Sequence, residues 1–156
     1  MPREIPEYRA DDLDYLNTIQ FPRFTTDDAV SLGLVAVSVI REWGLSLAVD
    51  IVLADDLVFR AKMKDTGAGN DSWLAGKAAV ARHYGAPSLQ VRLRHAEAGT
   101  RFEDLDFDHE KYKAHGGSIP VRVGGDIVGT ITTSGEPDAI DHEAAAEAIR
   151  RYLSLP

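Results

Sequence analysis

Ile119-Pro120-Val121-Arg122-Val123-Gly124-Gly125-Asp126-Ile127-Val128-Gly129-Thr130-Ile131-Thr132-Thr133 is the stretch on which the fold turns. Ile119, Val121 and Val123 alternate, Gly124-Gly125-Asp126 can supply positive φ, and β-rich sequence resumes at Ile127, so a hairpin is predicted. Pro120 has no N–H to give to a ladder, which puts its strand at a sheet edge or starts it outside the ladder. A similar pattern lies upstream. Leu47, Val49, Ile51 and Leu53 share one face of a strand starting near Leu45; after a turn expected at Asp55-Asp56, Leu57, Phe59, Ala61 and Met63 alternate again. Two hairpins favour an antiparallel sheet with helices packed on it, an α+β arrangement, over a doubly wound parallel one.

Helices fill the rest of the chain. Thr25-Thr26-Asp27-Asp28 offers a hydroxyl cap and first-turn acids, predicting a helix over about residues 27–43 that Gly44 stops. It is apolar around most of its circumference, so it should be covered on more than one side, and Ala29, Gly33 and Ala36 would allow a close backbone approach. Asn70, Asp71 or Ser72 can cap a helix reaching Tyr84 before Gly85, and residues 88–98 form another, closed by Gly99. Residues 101–111 are acidic and irregular or short-helical. An Ala-rich terminal helix is expected from Asp138, its cap, to Leu153, with Ala145, Ala148, Ile149, Tyr152 and Leu153 on its buried stripe. Residues 1–24, where Leu13, Leu16 and Ile19 recur at a spacing of three, read as an N-terminal arm, and residues 25–156 as a single domain.

The 156 residues, 44% hydrophobic and 27% charged, suffice for one core. At such a length about 68–70% of the unfolded surface is buried without staples. Cysteine is absent, which removes disulfides, thiolate zinc sites, iron–sulfur ligation and cysteine nucleophiles, and fits a reducing compartment. A formal net charge of −8 argues against a binder of nucleic-acid phosphates. No run approaches the roughly 18 apolar residues of a membrane span, and no basic-then-apolar leader is seen, so a cytoplasmic protein is expected.

The five histidines, His83, His95, His109, His115 and His142, form no metal-ligand pattern. His83 and His95 read as surface or helix-end residues, and His142, after Asp141 in the first turn of the last helix, as a packing residue. His115 differs, because Gly116-Gly117 follows it. Either the glycines shape a turn within which His115 is bonded, or they let backbone approach a ligand, including a haem iron held by a neutral imidazole. Lys77 lies four residues after Trp73, on the same side of a helix. The pair is either a cation over an indole at an anion site, or a buried Trp73 with Lys77 reaching out to water. Gly67-Ala68-Gly69 lacks the third glycine of a dinucleotide fingerprint, and Ser134 lacks a nucleophile-elbow context. Glu103, Asp104, Asp106, Asp108 and Glu110 read as a solvated acidic face.

Tyr112-Lys113-Ala114-His115-Gly116-Gly117-Ser118-Ile119-Pro120, with Val128-Gly129-Thr130-Ile131, Ser134-Gly135 and Asp141-His142, resembles the haem-degrading-domain family, the GlcG-like group, and most closely its cytosolic branch of uncharacterised proteins. Asn70-Asp71-Ser72-Trp73, Lys77 and Asp50 also fit that branch; Glu136 departs from its usual leucine, and Ala86-Pro87-Ser88 from its frequent paired serines. The resemblance runs from about Thr25 to the C-terminus. It implies a profilin-like antiparallel sheet of four to five strands with helices packed on it, and dimer-based homo-oligomers. It also implies haem or another tetrapyrrole as a candidate ligand, without assigning this branch a reaction. His115, Gly116, Gly117, Trp73, Lys77, Asp141 and His142 are the residues expected to line a small-molecule pocket. The rival expectations are a haem-degrading enzyme, for which no residue pair specifies oxygen activation, and an interaction protein whose glycine motif forms subunit contacts.

Overall fold

The computed structural model describes residues 3–155. Its sheet has four strands: β1 (Ala48–Leu53), β2 (Asp56–Lys62), β3 (Ser118–Val123) and β4 (Asp126–Ser134). They lie in the order β2-β1-β4-β3, every neighbouring pair antiparallel. Both predicted hairpins are present. Gly124 and Gly125 turn the second with φ +59° and +87°, and Pro120 sits on the edge strand, where its missing N–H costs no ladder bond on the open side. The first hairpin turns at Ala54-Asp55, one residue earlier than the acidic pair suggested, with Ala54 at φ +55°. Asp56 instead pairs with Leu53 and opens β2.

Four helices cover the sheet: α1 (Thr26–Glu42), α2 (Asp71–Tyr84), α3 (Ser88–Ala98) and α4 (Asp138–Tyr152). Thr25 Oγ1 accepts from the Asp28 N–H at 3.2 Å while Asp28 Oδ2 accepts from the Thr25 N–H at 2.9 Å, a reciprocal cap that starts α1. Gly33 admits the ring of Phe59 from β2 rather than another backbone; a Cβ there would lie 2.3 Å from the ring.

The two faces of the sheet are chemically unlike. Val49 and Ile51 of β1, Ile131 of β4, and Ile119 and Val121 of β3 point into the main core with Leu32, Ala36, Val39 and Ile40 of α1 and Ala144, Ala145, Ala148 and Ile149 of α4. The residues between them, Asp50, Thr130, Thr132, Ser118 and Arg122, are buried on the opposite face. There Thr132 donates to Ser118 Oγ at 2.9 Å, and Arg60 grips Asp50 through two hydrogen bonds of 2.7 and 2.9 Å. α2 runs along this polar face, against β3 and β4.

Leu13 and Leu16, in a 3₁₀ helix over Ala10–Thr18, are buried in the main core together with Phe21 and Phe24. A second, smaller cluster holds Val80, Val91, Phe102 and Ala114, so the acidic segment is anchored by Phe102 while Glu103, Asp104, Asp106, Asp108 and Glu110 stay exposed. Among the described residues, no helix is long and apolar enough to cross a membrane.

Candidate functional site

Three pieces of chain meet at one end of the polar face: the first turns of α2, the loop 114–117 leading into β3, and the loop 134–137 joining β4 to α4. The paired glycines make this possible. A Cβ on Gly116 would stand 2.3 Å from the Asp138 carbonyl oxygen, and one on Gly117, which has φ +139°, 2.3 Å from the Thr133 carbonyl oxygen. The close approach is thus to the chain's own backbone, while His115 beside them is left half-buried and without a protein hydrogen-bond partner among the described residues.

Lys77 is the centre of the arrangement. Only 3% exposed, it donates to Asp141 Oδ2 at 2.8 Å and to the Thr133 carbonyl at 3.0 Å. Lys77 therefore does not reach out to water, because Asp141 supplies a charge for it inside; nor does it cover Trp73. Lys113 takes that place, its Nζ 4.5 Å from the indole centroid, and Trp73, 39% exposed, meets the His115 ring edge-on at 5.2 Å between centroids.

Asp141 also accepts from the Glu136 N–H at 2.9 Å, so it caps the approach to α4 from one turn inside the helix. Asp138, expected as the cap, is the first residue of α4, and Pro137 precedes it as the cap. Its carboxylate turns away to charged and backbone donors, Arg92 Nε at 2.6 Å and the Gly116 N–H at 3.0 Å. Burial pushes the Asp141 carboxyl up to about 6 despite Lys77. Burial acts on Asp138 as well, but the Gly116 N–H and Arg92 outweigh it and hold that carboxyl below its ordinary value. Burial pushes His115 down, so its imidazole is neutral at pH 7.

Trp73, Lys77, His115 and Asp141 line one pocket of about 470 Å³, within the size range of small-molecule sites. Asn70, Ser134, Glu136 and Asp138 complete its wall and were not in the expected set. Their signal lay in the Ser134-Gly135-Glu136-Pro137 loop, a strand end running into a helix start, and in Asn70, which does not cap α2 with its side chain but bonds Ser134 at 3.3 Å. Gly116 and Gly117 support the pocket from behind. His142 does not line it: 1% exposed, it points to the other side of α4, edge-on to Tyr8 at 5.6 Å, its Nδ1 unpartnered and its pKa pushed by burial down to about 4. His95 and His109 are held locally by Thr100 and the Leu105 carbonyl. A larger cleft of about 740 Å³ lies between the N-terminal segment and α4, but its arginines Arg3, Arg150 and Arg151 are all paired with glutamates.

The fold agrees with the comparisons: residues 24–150 match the model described as "Haem degrading protein HbpS-like", and the chain belongs to that family. Among its relatives is a UPF0303 protein of Streptomyces coelicolor, 41% identical over 135 residues, which are 85% of each chain. A UPF0303 protein of Streptomyces avermitilis is 35% identical over 157 residues, covering 99% of this chain and 94% of the relative. Of solved structures, the Ybr137w protein superposes with TM-score 0.83 at 22% identity, over 93% of this chain and 88% of that one. HbpS gives 0.67 at 21% identity over 85% and 92%, and a PduOC:heme complex 0.66 at 22% identity over 84% and 94%. These structural likenesses bear on the fold, which is that of the GlcG-like group.

Proposed function

We propose that this protein is a small-molecule binding member of its family, working in the cytoplasm as a homo-oligomer, and that its ligand occupies the pocket between Trp73, Lys77 and His115. The observation that carries the reading is the convergence of an exposed indole, a buried ammonium and an unpartnered imidazole on one cavity. Haem is a candidate on chemical grounds. Iron takes a neutral ring nitrogen, and His115 is neutral, faces the cavity and has both nitrogens uncommitted. His115 would hold the iron and Trp73 would flank the macrocycle; the redox chemistry would be the haem's own. The match to a haem-degrading family and the likeness to a protein solved with haem support the same choice. Self-association draws support from Val30 and Leu34, exposed one turn apart on α1, and from Leu57, exposed on the edge strand β2.

Titration with hemin tests the reading. A saturable Soret band is expected, and His115→Ala should weaken it by about 10-fold or more, on the scale of about 1.4 kcal/mol per decade. If hemin gives no saturable band, haem is excluded as the ligand. If His115→Ala shifts the elution volume while titrations stay flat, the glycine motif serves subunit contacts instead.

A further inference from the structure

The polar groups of the pocket specify more than its existence. An ammonium has three N–H donors. Lys77 spends one on Asp141 and one on the Thr133 carbonyl; the third has no protein acceptor among the described residues, on a side chain that is 97% buried and lines the cavity. Glu136 is its counterpart. One carboxylate oxygen of Glu136 accepts from the Ser46 N–H at 2.8 Å, and the other has no protein donor among the described residues. Both residues are held by the same carboxylate, Lys77 through its Nζ on one oxygen of Asp141 and Glu136 through its backbone N–H on the other. The pocket therefore offers a donor and an acceptor, tied to one anchor.

Charge then selects among ligands. Lys77 is balanced by Asp141 and Arg92 by Asp138, whereas Glu136 forms no ion pair among the described residues. Lys113, over Trp73, lies outside the cavity lining, so on the wall itself one negative charge is left over. A ligand carboxylate or phosphate would add a second beside it; a neutral carbonyl oxygen can take the Lys77 N–H without that repulsion, and an adjacent N–H can satisfy Glu136.

We propose that the pocket selects a neutral, planar heterocycle presenting a carbonyl oxygen beside an N–H, the oxygen accepting from Lys77 and the N–H donating to Glu136, with the ring against Trp73. This rests on the pocket being a ligand site and goes further in fixing the charge and hydrogen-bonding edge of what enters. Leaving the buried Lys77 donor unmet is costly, and half-buried Glu136 adds a second, smaller preference, which makes the edge a specificity determinant.

Lumichrome, 1,3-dimethyl-lumichrome and phenazine-1-carboxylate, titrated against Trp73 fluorescence in a Trp43→Phe background with hemin alongside, test it. The first is neutral with both groups, the second lacks the N–H, and the third carries a carboxylate. Lumichrome should quench saturably, and the other two should bind about 10-fold or more weakly, the worth of one hydrogen bond to a charged group. Glu136→Leu should weaken lumichrome by a similar factor and erase its advantage over the dimethyl compound. Equal binding of lumichrome and its dimethyl analogue, tighter binding of the carboxylate, or quenching by hemin alone overturns the proposed selectivity and leaves the site standing. If no compound quenches Trp73, the reading of the pocket as a ligand site itself fails. Should Glu136→Leu not fold, as judged by circular dichroism, the analogue comparison on the Glu136-bearing protein still decides.

Discussion

The two faces of the sheet carry different duties. On one, Val49, Ile51, Ile119, Val121 and Ile131 meet α1 and α4 with no polar atom to satisfy, and each buried side chain contributes about 1.5–3 kcal/mol. On the other, Asp50, Ser118, Thr132 and Arg122 are also buried but bond one another, Arg60 or the Gly85 carbonyl that follows α2, while the Thr130 hydroxyl is buried without a partner among the described residues. The apolar face tolerates no gap. The polar face depends on its charged and hydroxyl partners, and its end, where Lys77 and Asp141 meet, is where the pocket opens. Stability that depends on volume and stability that depends on charge pairing thus sit on opposite sides of one layer.

The sharpest break should come at the charged end. Lys77→Met leaves Asp141 buried without its cation, and urea unfolding should show a loss of about 3–5 kcal/mol. Adding Asp141→Leu should recover much of that loss, because replacing both charges removes the unpaired one. On the apolar face, Ile131→Ala should cost about 2–5 kcal/mol by opening a cavity, with no comparable rescue from a second substitution that removes a polar group.

Acidity sharpens the contrast through two neighbours. Asp141, raised to about 6, stays protonated in the fold between its ordinary value and 6 while the unfolded chain has lost that proton, so its contribution falls as pH rises through this window. His142, lowered to about 4, is neutral in the fold while the unfolded chain is protonated up to its ordinary value, so its contribution rises with pH from about 4 to 6.5. The two oppose each other. Relative to the parent protein, Asp141→Asn should gain stability and His142→Leu should lose it as pH rises from 4 to 6, each by at most about 1.4 kcal/mol per pH unit. Parallel curves for both variants would refute this assignment. The smallest effect is expected at Arg60→Ala, about 1–2 kcal/mol, since Asp50 loses two bonds but Arg60 is itself 30% exposed, and truncating it lets water reach the oxygens it held.

Much of the scaffold could be read along the chain. Thr25 and Asp28 announced the start of α1, Gly85 and Gly99 the ends of α2 and α3, and Gly124-Gly125 the second hairpin, because each is settled by local backbone geometry. The site was legible only in part. Trp73, Lys77, His115 and Asp141 do come together, but Trp73's cation is Lys113, forty residues further along, and Asn70, Glu136 and Asp138 joined the wall unannounced. Spacing along a helix indicates which side chains share a face; it does not say which loop will cross that face.

The amino-acid order by itself determined the alternation of strands and helices and the two antiparallel hairpins, since these follow from φ preferences and hydrophobic period, and it limited Pro120 to an edge or the start of a strand. Only the tertiary structure decided that Lys77 faces inward and His142 lies on the far side of α4, because both outcomes depend on a partner brought from a distant segment: Asp141 for the first, Tyr8 for the second. A charge or an imidazole is cheap in water and costly when buried. Its place is therefore set by what the rest of the fold delivers to it.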